Sequence, residues 1–347
     1  MRIGIVGYGR FGRALGALLH EAGHAYRAWD PVTEISPDHR TAGLRDLVEG
    51  AETLVLAVPV AALGQALASL RPHLRPDQLV FDVGSVKSGP CALMDAQLGV
   101  AILHAGTHPL FGPVSLARAE RPLRVVLCPS VQHPAAANRV QALFESLGCE
   151  VLRQSPEDHD RVMATTHALT FFIAKGLLAV GAGAELPFTP PSFHAIARTL
   201  ESVREDAGHL FAALQNQNPF AAGAREGLLE ALSAIHQTLA EAVAEGADEQ
   251  QLAIPSLGER SPILQETRDN IDALDQELVA LLARRTELVL RAGRAKAELG
   301  LPVHDPEREA SQLQARRAWA QETGLDSQGV EDVFRAVLRA SRAAQGK

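Results

Sequence analysis

The chain has 347 residues, 46% apolar and 21% charged, a balance that excludes a disordered, collagen-like or low-complexity protein. At roughly 100 to 200 residues per domain, this length corresponds to two or three domains. The 33 Lys and Arg against 41 Asp and Glu leave a net charge of −8, which argues against nucleic acid or an anionic membrane as the main partner. Cys91, Cys128 and Cys149 form no C-x-x-C pair and no even framework, so no metal site is expected and a reduced, cytoplasmic setting fits. The N-terminus shows no basic segment leading into a long apolar one, and no stretch approaches about 18 uninterrupted apolar residues, so no membrane association is expected.

Residues 2 to 7 form a short apolar run, and residues 13 to 22 carry Ala14, Leu15, Leu18 and Leu19 at helical spacing, which predicts strand, turn and helix. The alternation continues through Ala25 to Trp29, Thr53 to Val58, Leu79 to Val83, Ala101 to Leu103 and Leu123 to Leu127. Such a pattern predicts a mainly parallel sheet with helices on both faces over residues 1–155. From 156 to 245 the strand signals stop and an Ala/Leu-rich pattern of helical period predicts a second, all-α domain, interrupted between Gly181 and Pro191. Residues 246–262 are polar and punctuated by Gly and Pro, the composition of a linker. A third domain of three helices follows over 263–347. Its long first helix spans Ile263 to Gly300, with Ile271, Leu274, Leu278, Leu281, Leu282, Leu288 and Val289 on one stripe, and the shorter ones cover 306–323 and 327–345.

Gly7-Tyr8-Gly9-Arg10-Phe11-Gly12 is a G-x-G-x-x-G that follows the first strand and opens a helix, the context of a Rossmann-type dinucleotide-binding domain. Gly7 permits the tight turn, Gly9 lets a pyrophosphate approach the helix N-terminus, and Gly12 permits close helix–sheet packing. Asp30 ends the second strand, where a carboxylate binds ribose hydroxyls and repels a 2′-phosphate, which favours NAD over NADP. Arg27 nearby acts in the other direction.

Three further loops should gather over the cofactor: Val58-Pro59, Asp82-Val83-Gly84-Ser85-Val86-Lys87, and His108-Pro109-Leu110-Phe111-Gly112-Pro113. Over residues 1–245 these strings resemble the prephenate dehydrogenase family. The resemblance implies that His108 assists hydride removal by hydrogen-bonding the ring hydroxyl being oxidised, and that Ser85 orients the substrate and His108. A neutral imidazole suits that task, because the histidine pKa near 6.5 lets it take up a proton at neutral pH. Glu157-Asp158-His159-Asp160-Arg161 resembles the start of the family's helical domain. Some relatives carry histidine at the position of Phe171, whereas this chain has His167 one turn earlier. Leu210-Phe211-Ala212, Gln215 and Asn218-Pro219 also match, and the arginine that binds a substrate carboxylate corresponds to Arg204, with Arg198 as a competitor.

In the third domain, Arg285 and Lys296 lie 11 residues apart, which on a helix returns within about 20° of the same face, roughly 16 Å along the axis. They can converge on one small dianion. Arg268 points about 100° away and lies roughly 25 Å from Arg285, so it fits a site in a partner subunit. Residues 263–345 are similar to the all-helical class of chorismate mutases. Arg268, Arg285, Lys296, Asp305, Arg308, Glu309, Ser341 and Gln345 fall where that family places its site. The resemblance implies that the arginines clamp two carboxylates, that Lys296 and Gln345 bond the ether oxygen, and that Glu309 with the Asp305 region holds the ring hydroxyl. It also implies a domain-swapped homodimer in which Arg268 completes the partner's site.

Together the two resemblances imply a bifunctional enzyme of tyrosine biosynthesis, which converts chorismate to prephenate and then prephenate to 4-hydroxyphenylpyruvate with NAD. The alternative is an arogenate dehydrogenase whose C-terminal domain senses a metabolite or dimerises without catalysis. Composition and spacing alone reach an NAD-binding oxidoreductase joined to a cation-lined helical dimer.

Overall fold

The computed structural model describes residues 2–117, 119–182, 188–190, 193–205, 208–245, 263–302 and 305–345. The expected linker at 246–262 lies outside the described residues. The chain separates into two compact units, Met1–Pro113 with Pro122–Ala253, and Val114–Arg121 with Ile254–Lys347.

In the first unit, seven strands form one sheet: β1 (Ile3–Val6), β2 (Tyr26–Trp29), β3 (Thr53–Leu56), β4 (Leu79–Asp82), β5 (Leu103–Pro109), β6 (Leu123–Pro129) and β7 (Cys149–Arg153). Their order is β2-β1-β3-β4-β5-β6-β7. Every pair is parallel except β5–β6, which runs antiparallel. β1, β3 and β4 are buried along their whole length, as continuous apolar runs covered on both faces must be. The helices around the sheet are α1 (Arg10–Glu21), α2 (Leu44–Gly50), α3 (Leu63–Leu70), α4 (Ser88–Leu98) and α6 (Pro134–Ser146), while α5 (Pro113–Ala117) falls almost wholly in the second unit. On one face, Leu47 and Val48 of α2, Leu67 and Leu70 of α3 and Met94 and Leu98 of α4 close over Leu54 and Val80 of the sheet.

Two strands depart from expectation. Ala101 belongs to a single 3₁₀ turn, and the strand begins at Leu103 and runs on through His108. Its polar members Thr107 and His108 are buried, so the apolar signal stops before the strand does. β7 has no apolar run because it is an edge strand with only Cys149 buried.

Beyond the sheet come α7 (Pro156–Met163), a π-helical turn over Ala164–Ala168, and α8 (Leu169–Ala179). Ser155 starts this run: its hydroxyl accepts the Asp158 N–H, and Pro156 needs no helical N–H partner. α9 (His194–Glu205), α10 (Gly208–Ala212), a second π-helical turn over Ala213–Gln217 and α11 (Ala221–Glu245) complete the all-α part. Pro156–Ala179 is long and apolar enough to cross a membrane, with mean hydropathy 1.4. Here Ala168 and Phe171 pack against Leu214 and Ala221, and the first turns bury His159 and Asp160, so the helix serves as part of a folded core.

In the second unit, α12 (Ile263–Glu298), α13 (Pro306–Glu322) and α14 (Ser327–Gln345) match the three expected helices. Asp305 caps α13 by accepting the Arg308 N–H at 3.0 Å. Gly324, at φ +74°, ends the same helix in the left-handed region. The Val114–Arg121 segment meets α12 where Arg291 donates to the Leu116 carbonyl at 3.2 Å and Arg121 pairs with Glu287. On α12, Ile271, Leu274, Leu278, Leu281 and Leu282 are each about half exposed, so the apolar stripe is not covered by the described residues of its own unit.

Candidate functional site

The glycine-rich turn is dictated by the backbone. Gly7 has φ +91°, and a Cβ there would sit 2.5 Å from the Ala57 carbonyl oxygen. A Cβ on Gly12 would run into the Gly7 carbonyl. Gly9 differs: no atom lies within 4 Å of its virtual Cβ, so its glycine is not explained by packing and suits the approach of an anionic ligand. Gly9 precedes α1, whose first turn holds no acidic residue to compete for the free N–H groups. The residues present therefore fit a dinucleotide. Arg10 is exposed beside the turn, Val58 is half-buried and Pro59 exposed at the end of β3.

Asp30 does more than the sequence suggests. Its Oδ2 accepts the Tyr8 N–H at 2.7 Å, and its Oδ1 accepts the Val32 and Thr33 N–H groups at 2.9 and 2.7 Å. Burial works to raise the carboxyl pKa, but these donors outweigh it and hold the group below its usual range. Asp30 thus locks the glycine turn to the end of β2, and it lines a cleft of about 280 Å³ with Trp29, Thr33, Arg40 and Thr41. Tyr8 reinforces the lock through its hydroxyl, 2.8 Å from that of Tyr26. Phe11 meets Phe111 at 6.3 Å between ring centroids, which brings the nucleotide turn against the His108 string.

β5 carries His108 beyond its parallel partner: the β4 ladder ends at Asp82 opposite Gly106, whereas the β6 ladder holds His108 opposite Val126. The imidazole is 4% exposed. Its Nδ1 lies 2.8 Å from Nε2 of His159 on α7. Burial, then the neighbouring His159, Lys87 and His167, push the His108 pKa well below the ordinary histidine value, so the ring is neutral at physiological pH. Beneath it, the buried Lys87 ammonium donates to Asp82 Oδ2 at 2.5 Å and to the Thr107 carbonyl at 2.6 Å, pinning the β4–α4 loop to β5. Ser85 is half-buried within that loop.

His167 stands in the first π-helical turn, its ring parallel to that of His108 at 6.3 Å and edge-on to Phe171 at 4.9 Å. The turn is held open by Gln215, which donates to the Ala168 carbonyl at 2.7 Å and accepts from Arg225 at 2.7 Å. The structure thus brings His167 to His108, with Phe171 buried behind it. Arg204 and Arg198 both project from α9 with exposed side chains, and exposure does not choose between them. His159 and Asp160 are the residues that sequence reasoning did not place in the site.

In the second unit, α12 and α14 bring three of the expected residues together. Arg285 donates to the Ser341 hydroxyl at 2.5 Å, and Gln345 donates to the Val289 carbonyl at 2.8 Å. Burial, then the like charge of Arg316, lowers the Arg285 pKa. Glu309 is engaged by Arg342 at 2.5 Å, Lys296 is half-buried in the last turn of α12, and Arg308 is exposed. Asp305 is the α13 cap. Arg268 falls on α12, but its side chain lies outside the described residues.

A parallel sheet with a G-x-G-x-x-G turn at its first strand, closed by an all-α part and accompanied by a separate three-helix unit, defines a Rossmann-type nucleotide-binding protein with an appended helical domain. Residues 36–153 match the family described as prephenate dehydrogenase, nucleotide-binding domain, and residues 267–346 match chorismate mutase type II. Both matches fall within the one chain, on separate stretches. The chain is 44% identical over 84 residues to the T-protein of Haemophilus influenzae, covering 24% of this chain and 22% of that one. It is 32% identical over 155 residues to the cyclohexadienyl dehydrogenase of Zymomonas mobilis, covering 43% and 53%. The chain thus spans from about a fifth to about half the length of these relatives. The fold is similar to that of a prephenate dehydrogenase from A. aeolicus, solved with hydroxyphenyl propionate and NAD+, at TM-score 0.58 and 19% identity over 80% of this chain and 98% of that one.

Proposed function

We propose that the chain is a bifunctional enzyme of tyrosine biosynthesis: the three-helix domain rearranges chorismate to prephenate, and the first unit oxidises and decarboxylates prephenate to 4-hydroxyphenylpyruvate. The observation that carries this reading is the presence of both domains in one chain, the product of one family being the substrate of the other. We assign residues 1–155 to nucleotide binding, 156–245 to the helical substrate domain, 246–262 to a linker and 263–347 to the mutase.

NAD, when bound, takes up the hydride from the ring carbon that bears the hydroxyl. Gly7, Gly9 and Gly12 with Tyr8, Arg10 and Phe11 hold its pyrophosphate at α1, Asp30 orders the ribose end, and Val58 and Pro59 line the cleft. His108 accepts the hydroxyl proton, Ser85 and His167 orient the ring, and Arg204 binds a substrate carboxylate. Decarboxylation then aromatises the ring.

The mutase reaction needs no nucleophile, only a held conformer and charge against the breaking ether bond. Arg285 and Arg308 clamp the carboxylates, Lys296 and Gln345 face the ether oxygen, Glu309 and Asp305 hold the ring hydroxyl, and Ser341 orients Arg285. The uncovered apolar stripe of α12 supports a homodimer in which Arg268 completes the partner's site. Three free cysteines support a reducing, cytoplasmic location.

Incubation of the purified protein with chorismate and NAD, following chorismate loss and NADH formation in one sample, tests the reading. Both signals are expected. Loss of chorismate without NADH would overturn the dehydrogenase half, and persistence of chorismate would overturn the mutase half.

A further inference from the structure

Asp160 is fully buried at the start of α7, yet it faces the N-terminus of α4. Its Oδ1 accepts the Lys87 N–H at 2.8 Å and its Oδ2 accepts the Ser88 N–H at 2.8 Å, so it satisfies the donors that open that helix. Burial would raise its pKa, but hydrogen bonds from His159, Ser88 and Lys87 more than compensate and keep it ionised. An ionised carboxylate only accepts hydrogen bonds. The contact of 2.8 Å between Asp160 Oδ1 and His159 Nδ1 therefore places a proton on His159 Nδ1.

A neutral His159 then has a bare Nε2, and that atom lies 2.8 Å from Nδ1 of His108. Nδ1 of His108 must donate, which leaves Nε2 of His108 without a proton. The opposite assignment needs a buried imidazolium at His159 in the resting protein and puts the His108 lone pair on the wrong nitrogen. Asn218 fixes the backbone end of the chain of bonds by donating to the Asp160 carbonyl at 2.8 Å.

We propose that His159 and Asp160 are positioning residues for the dehydrogenase reaction: they hold His108 in the tautomer whose Nε2 takes the substrate proton, and they carry the positive charge that follows. This rests on the reading of the first unit as a prephenate dehydrogenase. The hydroxyl proton passes to Nε2 of His108 as the ring carbon is oxidised and NAD is reduced. The Nδ1 proton of His108 moves to Nε2 of His159, which becomes an imidazolium against the Asp160 carboxylate. One proton enters the pair of rings and none is lost until product leaves. The logic is that of a serine-protease triad, in which a buried carboxylate fixes the tautomer of the working histidine, here extended by one ring.

Two measurements test it. Nitrogen-15 spectra of histidine-labelled full-length protein read the tautomers without any substrate; a proton on His108 Nδ1 and a bare Nε2 are expected, and a protonated Nε2 at neutral pH overturns the proposal. The second compares His159→Leu with His159→Gln, whose side-chain oxygen can still accept from His108. For Leu, kcat with prephenate and NAD is expected to fall about 10²- to 10⁴-fold, the range for general-base catalysis. KM is expected to stay within about threefold and the acid limb of the pH profile to move, while Gln recovers at least part of kcat. Equal losses in the two variants, or a kcat loss with an unchanged pH profile, would mark a merely structural contact and overturn the assignment. NAD binding by the same samples, which needs a folded first unit, reports that each variant is folded. If the wild-type protein forms no NADH from prephenate, the parent reading fails, and the spectra still decide the relay.

Discussion

The two units solve the problem of holding charge in opposite ways. In the first, Lys87, Asp82, His108, His159 and Asp160 are all buried and bonded to one another or to backbone, so the site is finished by its own chain. In the second, Arg285 and Lys296 stand on α12, whose apolar stripe is half exposed, and Arg308 is exposed on α13. A buried charge needs every partner supplied by the fold, because an unpaired one costs several kcal/mol. The cations of the second unit are only partly covered, Arg285 by burial and the Ser341 hydroxyl, and a second copy would complete them in the proposed dimer. The difference teaches that the first unit's charged cluster depends on local bond geometry, whereas the second unit's cations depend, in the function proposed above, on assembly.

The largest effect that would test this contrast is at His108. Replacing it with Asn is expected to lower kcat for NADH formation about 10²- to 10⁴-fold while chorismate loss proceeds at the wild-type rate. The converse is Arg285→Ala, expected to slow chorismate loss about 10²- to 10³-fold and to leave NADH formation from supplied prephenate untouched. Assembly is probed by Leu274→Glu: with about 1.5–3 kcal/mol of apolar burial removed per leucine, mutase specific activity should become dependent on protein concentration. Activity that stays constant on dilution, with an unchanged sedimentation coefficient, would break the comparison. Asp30→Ser is smaller, a rise of about tenfold in KM for NAD, comparable to one hydrogen bond to a charged group. The smallest effect is on pH. Because activity needs neutral His108 and its pKa is lowered, kcat/KM should stay level as pH falls through 6.5 and decline only below it.

The parts of the molecule that were legible in sequence are those whose chemistry is local. Gly7 and Gly12 are readable because the backbone turn dictates each of them, Gly9 because its open backbone suits an anionic ligand, and the α13 and α14 boundaries because Asp305, Pro306 and Gly324 punctuate them. His108 was readable from its Pro-Phe-Gly-Pro flank. His159 and Asp160 were not, since an acidic cluster after Ser155 and Pro156 looks like an ordinary helix start, and their partners lie 51 to 73 residues away. The end of β5 was hidden for a related reason: Thr107 and His108 are polar residues that the fold buries. The place of His167 beside His108 depended on a π-helical turn, which leaves no hydrophobic period to read.

The span of those bonds has a consequence in time. The contacts that join His108, Lys87 and Ser88 to α7 link segments far apart in sequence, so the entropy of closing long loops must be overcome before any of them forms. The separate helices can form from nearer neighbours. A refolding chain is therefore expected to regain its helical far-ultraviolet signal before these contacts close, and a preparation arrested at that stage would be helical yet lack any activity that depends on them.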